Sequence, residues 1–274
     1  MKTRMISAFA GLLLFIGILI GQSYFPIIFD ITVMLLCAVA LWELLNNTGL
    51  IKQRFLTIVA MCYSTVFMVS GLLNVSMVYA VAIFALVLIF YTVFFHAKTT
   101  VNEFTSAFCL PVLISYAFYS LIVLMRNNAE NGLLYLFLVL CFAWASDTGA
   151  YFVGVFFGKH KLAPSLSPKK TIEGCFGGII GSGVVSLIIG LIFNSFSNEY
   201  RINFVLLIIF AMIFSVVGMI GDLFASYIKR SCGIKDYGNI MPGHGGVLDR
   251  FDSILFIAPL FTLVISVIPI VKTI

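Results

Sequence analysis

The chain has 274 residues, of which 62% are hydrophobic and only 10% are charged, and its mean hydropathy is +1.14. A soluble domain has about 45–50% apolar and about 25% charged residues, so this composition excludes a water-soluble globular protein. The formal net charge of +5 is modest, and we predict no nucleic-acid partner.

Apolar runs of about 20 residues, the length that spans a bilayer, recur along nearly the whole chain. They predict nine spans, at about 5–21, 24–43, 55–73, 75–95, 104–125, 132–158, 174–193, 203–228 and 253–271. With the N-terminus in the cytoplasm, 13 of the 16 Lys and Arg residues lie on the cytoplasmic side, as the positive-inside rule expects. The sequence therefore predicts an all-α polytopic membrane protein with about nine transmembrane helices and a cytoplasmic N-terminus.

The ionisable residues are unevenly distributed between the two parts of the chain. Residues 1–130 hold five spans with few such groups, among them Asp30 and Glu43, and we predict that they form a scaffold. Residues 131–274 hold nearly all the polar clusters, and we predict that they form the catalytic region of the same membrane domain. Two GxxxG spacings in the seventh span predict close helix packing, and they permit a homodimer without requiring one.

The first polar cluster surrounds the end of the sixth span. Asp147 lies about 11 residues before that end, or roughly 16 Å deep at a rise of about 1.5 Å per residue. A carboxylate at this depth indicates a polar cavity, which Asp222 could share. The following basic loop contains Lys169 and Lys170, which suit a nucleotide triphosphate or an anionic lipid head group. A topology signal with affinity for an anionic membrane surface is the alternative.

The second cluster begins inside the eighth span with Asp222. A carboxylate at the centre of a span costs about 2.5–3.5 kcal/mol on insertion scales, and less nearer the end. One helix face, at positions i, i+4, i+7 and i+8, carries Asp222, Ser226, Lys229 and Arg230. This face runs from a buried acid to two exposed cations. The alternative is an acid that a cation of a neighbouring helix simply neutralises.

A further pair of acids, Asp249 and Asp252, precedes the last span. If a helix begins near Gly246, these positions lie at i and i+3 and point to the same side. Negative charge is also favoured at a helix start, so compensation of the helix dipole is an alternative. Together with Asp222, they make three carboxylates around a short loop, which favours Mg²⁺.

The loop between these acids is rich in glycine. Backbone N–H groups of Gly245 and Gly246 can approach an anion there, aided by the start of a following helix. His244 suits proton transfer or phosphate binding, with loop ordering as the alternative. Lys235 lies beside Asp236, and the two could form no more than a local salt bridge.

From Ser226 to Asp252 the polar residues follow one extended pattern: SxxKR, after four residues KDxG, and then PxHGGxxDRxD. This pattern resembles the C-terminal signature of the phosphatidate cytidylyltransferases, also called CDP-diacylglycerol synthases. The match covers 27 residues, and the wider resemblance runs from about 140 to 255. Met241 is a small departure, since Leu, Ile or Phe is expected there.

The resemblance implies a nucleotidyltransferase that converts CTP and phosphatidic acid into CDP-diacylglycerol and pyrophosphate for phospholipid synthesis. It implies Mg²⁺ as cofactor, leaves a second, monovalent cation open, and makes membrane lipids the surroundings. The implied metal ligands are Asp222, Asp249 and Asp252. The implied catalytic residues are Asp222, Asp249, Lys229, Arg230, Ser226, Lys235 and His244. The implied substrate-binding residues are Asp147, Lys169, Lys170, Arg250, Gly245 and Gly246.

Two other functions fit parts of the pattern. A CTP-dependent kinase of a polyprenol or phytol would transfer the γ-phosphoryl group and release CDP instead of pyrophosphate. A secondary transporter that uses Asp147 and Asp222 as ion sites would show no nucleotide turnover. In each case we expect an integral protein, and for the enzyme we predict the bacterial inner (cytoplasmic) membrane with an active site that faces the cytoplasm.

Overall fold

The computed structural model describes residues 2–127, 131–197, 199–240 and 245–273. Its helices are α1 (Lys2–Tyr24), α2 (Ile27–Asn47), α3 (Arg54–Leu72), α4 (Met77–Phe94), α5 (Val101–Asn127), α6 (Gly132–Phe157), α7 (Ile172–Phe196), α8 (Phe204–Ser231), α9 (Leu248–Phe251) and α10 (Ile254–Val267). Among the described residues, seven helices, α2 to α8, are long and apolar enough to cross a membrane. The prediction of an all-α polytopic membrane protein is confirmed.

The other two predicted spans correspond to shorter apolar helices. These are the Phe9–Tyr24 part of α1 and the whole of α10. The count of nine spans and the cytoplasmic N-terminus therefore stay predictions.

In the described part of the chain, two short antiparallel sheets interrupt the helical pattern, and the sequence did not predict them. Strands β1 (Lys161–Ala163) and β2 (Ser167–Thr171) pair within the basic loop between α6 and α7. Strand β3 (Tyr200–Ile202) pairs with β4 (Val271–Thr273). The last predicted span was therefore too long, because the helix ends at Val267. Pro269 explains this end, since proline cannot donate a helical hydrogen bond and disfavours helical backbone in the residue before it.

The chain forms two compact units that differ from the two parts predicted from the sequence. The first unit comprises residues 1–122 and 229–251, and the second comprises residues 123–228 and 252–274. Helix α8 therefore supplies Lys229 and Arg230 to the first unit but Asp222 and Ser226 to the second. The division of roles between a scaffold (1–130) and a catalytic region (131–274) stays a prediction.

Each unit has its own aromatic core. In the first unit, the rings of Tyr63 and Phe84 stack with centroids 4.1 Å apart. In the second unit, Phe261 of α10 meets Phe142 and Phe214 edge to face, with centroids 5.5 and 5.3 Å apart. Aromatic pairs in these geometries stabilise a core by about 0.5–1.5 kcal/mol beyond the area that they bury.

Helices α6 and α7 pack closely through glycine, as the GxxxG spacing predicts. A Cβ atom at Gly174 would lie 2.8 Å from the carbonyl oxygen of Ala150, and one at Gly178 would lie 2.8 Å from that of Ser146. A Cβ atom at Gly177 would overlap the side chain of Val153. Only glycine allows the two backbones to approach so closely, and this contact fixes α6 against the start of α7.

Candidate active site

The signature loop, which we define as the described residues 232–240 and 245–247 between α8 and α9, contacts Asp249 of the first unit. The Oδ1 atom of Asp249 accepts a hydrogen bond from Lys229 Nζ at 2.9 Å. Its Oδ2 atom accepts from the backbone N–H groups of Tyr237 at 2.8 Å and Gly246 at 3.0 Å. Both side chains of the ion pair are buried, and the ammonium of Lys229 lies 5.2 Å from the centroid of the Tyr237 ring. Lys229, Asp249 and Gly246 therefore lie together in the structure.

A second carboxylate, Glu43 of α2, contacts the same loop. It is only 1% exposed, and its two oxygens accept from the backbone N–H groups of Val247 and Leu248, both at 3.0 Å. One turn further along α2, the side-chain amide of Asn47 donates to the carbonyl of Tyr237. Sequence analysis assigned Glu43 to the scaffold and missed this contact. An acid within an apolar span is costly, so the argument applied to Asp222 could also have singled out Glu43.

Three predicted phosphate-binding cations of the first unit, Arg230, Lys235 and Arg250, are exposed. The Arg230 guanidinium donates to the carbonyl of Ile234 at 3.3 Å, which ties the end of α8 to the loop. Gly245 adopts a φ of +84°, a conformation that favours glycine. His244 lies outside the described residues.

The helix expected from Gly246 through Asp252 is interrupted. Helix α9 is a single turn that ends at Phe251, and Asp252 lies in the turn before α10. The Asp252 carboxylate accepts from the N–H of Ser253 at 2.8 Å. Aspartate favours such local hydrogen bonds over a continuous helix, so the placement of both acids on one helix face was wrong.

In the second unit, the two predicted polar clusters meet. Lys170 of β2 forms an ion pair with Asp222 of α8. The Lys170 and Asp222 side chains remain 21% and 25% exposed, although the ammonium nitrogen itself is shielded from solvent. Successive side chains of a strand point to opposite faces, and accordingly Lys169 is exposed. Lys170, which faces Asp222, comes from the hairpin of β1 and β2 (residues 161–171), here called the basic hairpin, rather than from a neighbouring helix.

The basic hairpin is fixed to the start of α7. The hydroxyl of Thr171 accepts from the N–H of Gly174 at 3.1 Å and caps the helix. The Glu173 carboxylate accepts from the N–H of Lys159 at 3.1 Å and contacts the His160 ring at 2.6 Å. These contacts fix the position of the hairpin that carries Lys170, the ion-pair partner of Asp222.

Asp147 lies on α6 in the second unit, and its side chain is exposed. Its neighbour Ser146 is buried beneath the contact with Gly178. A cavity that Asp147 shares with Asp222 stays a prediction. Ser226 is half-buried on α8, one turn beyond Asp222.

The carboxylates differ in their capacity to hold a metal ion. Among the described residues, no three His, Cys, Asp or Glu side chains are grouped as a metal site. Mg²⁺ commonly takes only one or two carboxylates, with water and substrate phosphate completing its shell. Asp222 is partly exposed, and the backbone of Asp252 packs against the preceding residue of α8, since a Cβ atom at Gly221 would lie 3.1 Å from the Asp252 carbonyl oxygen. Their chemistry fits Mg²⁺, whereas Asp249 already accepts from three donors.

The profile of the cytidylyltransferase family matches residues 2–268. The chain belongs to this family. A phosphatidate cytidylyltransferase of Staphylococcus saprophyticus is 36% identical over 273 residues, which cover 97% of this chain and 99% of that protein. One of Staphylococcus epidermidis is 35% identical over 278 residues with the same coverage. One of Bacillus subtilis is 38% identical over 180 residues, or 65% of each chain.

Membership in the cytidylyltransferase family confirms the resemblance found in the signature, and it makes the chain a nucleotidyltransferase. It also extends the similarity beyond residues 140–255 to the first five spans. Those spans include α2, which carries the Glu43 contact to the signature loop.

Proposed function

We propose that this protein transfers the cytidylyl group of CTP to phosphatidate, giving CDP-diacylglycerol and pyrophosphate for phospholipid synthesis. The observation that carries the proposal is the match over 97% of the chain to proteins named phosphatidate cytidylyltransferase. The setting agrees with it, because a membrane protein has access to a lipid substrate and exposed cations can bind a triphosphate.

The reaction needs positioning and charge neutralisation more than covalent chemistry from side chains. A phosphate oxygen of phosphatidate attacks the α-phosphorus of CTP, and the bond from that phosphorus to the bridging oxygen of pyrophosphate breaks. Negative charge develops on the departing pyrophosphate, and fixed cations stabilise it. Arg230, Lys235 and Arg250 are such cations in the first unit; Lys169 and Lys170, taken separately, are such cations in the second.

Mg²⁺ remains the proposed cofactor. Asp222 and Asp252 are the carboxylates that best fit it, while the role of Asp249 as a ligand and the presence of a monovalent cation stay predictions. When bound, the ion neutralises phosphate charge. Lys170 forms an ion pair with Asp222, and the same ammonium would neutralise a phosphate bound next to Asp222.

The protein is an integral membrane protein, and we place it in the bacterial inner membrane. An active site that faces the cytoplasm is the arrangement that the positive-inside rule favours, and it gives access to soluble CTP. Phosphatidate would enter sideways from the bilayer. A homodimer stays a prediction.

The position of the transferred label tests the function. Purified protein receives phosphatidate, Mg²⁺ and CTP labelled at either the α- or the γ-phosphorus. Cytidylyl transfer places the α-label in the lipid and the γ-label in pyrophosphate. Lipid that carries the γ-label would instead indicate a kinase, and intact CTP would contradict both enzymes and favour a transporter. Asp222→Asn serves as the inactive variant, and Lys272→Ala, an exposed change on β4, serves as the matched control.

A further inference from the structure

We propose that Glu43 is a positioning residue of the active site, and that its carboxylate is an anion that the backbone N–H groups of Val247 and Leu248 bind. Glu43 lies in α2, about 200 residues before the loop that it contacts. The inference rests on the proposed cytidylyl transfer for its consequence, but the contact itself can be tested without activity.

Three consecutive backbone N–H groups point at carboxylates. The N–H of Gly246 donates to Asp249, and those of Val247 and Leu248 donate to Glu43. Successive N–H groups of this kind form anion-binding concavities. Here the anions are two carboxylates of the protein itself. Phosphate recognition then falls to the exposed cations rather than to this stretch of backbone.

Two glycines, Gly238 and Gly246, leave space that the Glu43 carboxylate fills. A Cβ atom at Gly246 would lie 2.5 Å from both Glu43 oxygens, and one at Gly238 would overlap the same carboxylate. Neither glycine has a positive φ, unlike Gly245. Backbone conformation therefore does not require glycine at either position. The Glu43 carboxylate requires it, because that group fills the volume that a side chain would need.

The Glu43 contact is connected through the loop to the Lys229–Asp249 pair. Glu43 fixes the two residues immediately before Asp249, and Asn47 fixes the carbonyl of Tyr237. The N–H of Tyr237 is itself a donor to Asp249. Helix α2 thus contacts the loop beside both backbone donors to Asp249. A change at Glu43 should therefore displace the ion pair without removing either member.

A kinetic experiment with two matched variants tests the catalytic consequence. Glu43→Gln keeps the shape of the side chain. An amide accepts hydrogen bonds only at its oxygen, so one of the two N–H groups of Val247 and Leu248 then faces the amide NH2 group, which is also a donor. We expect kcat to fall about tenfold or more, because a displaced loop misplaces the Lys229–Asp249 pair. The KM for CTP should change little, because the exposed cations remain.

The matched control is Glu103→Gln. Glu103 is also a buried acid of the first unit, and it accepts from the backbone N–H groups of Lys52 at 3.2 Å and Thr100 at 3.0 Å. Its variant should lose thermal stability while the remaining folded protein keeps its kcat. Wild-type kcat in Glu43→Gln, or equal losses of kcat per folded protein in both variants, would overturn the proposal.

A double-mutant cycle in thermal stability tests the contact independently of the reaction. Gly238→Ala should lower the unfolding temperature strongly in the wild-type background, because its Cβ overlaps Glu43. In the Glu43→Ala background the same substitution should be nearly neutral, so the two effects should be non-additive. Additive effects would contradict the contact. Wild-type protein that makes no CDP-lipid would instead refute the proposed function and leave this cycle unaffected.

Discussion

The Lys229–Asp249 and Lys170–Asp222 ion pairs differ in how much of each side chain is exposed to solvent. In the first unit, Asp249 and Lys229 are buried, and the carboxylate also accepts two backbone hydrogen bonds. In the second unit, Asp222 and Lys170 keep about a quarter and a fifth of their surface exposed. The family resemblance had implied that both acids are metal ligands. The contacts separate a buried pair that organises a loop from a pair whose side chains remain partly exposed.

The largest expected effect comes from breaking the buried pair. Asp249→Ala leaves the Lys229 ammonium buried without its carboxylate and two N–H groups without an acceptor. Removal of one member of a buried pair costs about 3–5 kcal/mol, so we expect poor recovery of folded protein and no activity. Thermal unfolding in detergent measures the loss.

A second variant separates stability from function at the buried pair. Lys229→Met combined with Asp249→Leu replaces both charges with apolar groups, which often restores stability. We expect partial recovery of the unfolding temperature without recovery of activity. If Asp249→Ala alone unfolds at the wild-type temperature, Asp249 does not organise the loop, and the contrast between the two pairs fails.

The open pair should show the opposite balance. Asp222→Asn removes the charge that faces Lys170, but a flexible lysine can extend its ammonium to solvent. The free energy of unfolding should fall by about 1 kcal/mol at most, as for partly exposed ion pairs. CDP-lipid formation should fall to background. A variant that keeps full activity would remove Asp222 from the site. Unfolding measured beside Asp249→Ala provides the direct comparison.

Added Mg²⁺ sharpens the same comparison. An ion that binds only the folded protein stabilises it by about 2.7 kcal/mol at a hundred times its dissociation constant. We therefore expect Mg²⁺ to raise the unfolding temperature of the wild type but not that of Asp222→Asn, with Ca²⁺-free buffer and chelator as the baseline. An equal rise in both proteins would place the ion elsewhere.

The spans were predictable because a bilayer demands long apolar helices, and Asp222 was conspicuous because a charge within a span needs a reason. The interruption at Asp252 was not predictable from helical spacing, since a local hydrogen bond to Ser253 competes with the helix. The role of Glu43 was hidden for a different reason. Its partners, Val247 and Leu248, are apolar residues that contribute only their backbone, so no side-chain pattern records the contact.

The basic hairpin offers the smallest and most specific test. Lys169 and Lys170 are adjacent on β2, and the sequence treated them as equivalent phosphate ligands. The structure distinguishes them, because Lys170 faces Asp222 and Lys169 is exposed. Lys170→Ala should raise the KM for CTP and reduce kcat, since both the carboxylate and its neighbouring phosphate lose their cation.

Lys169→Ala should change stability by no more than about 0.5 kcal/mol, as is usual for a surface substitution, and should affect KM only slightly. Steady-state kinetics at two salt concentrations distinguish a specific contact from general attraction of an anion, because salt screens exposed charges most strongly. Equal effects of the two substitutions at both salt concentrations would mean that the hairpin acts only through its summed charge. Asp222 would then have no specific partner in catalysis, and the contrast with the buried pair would concern stability alone.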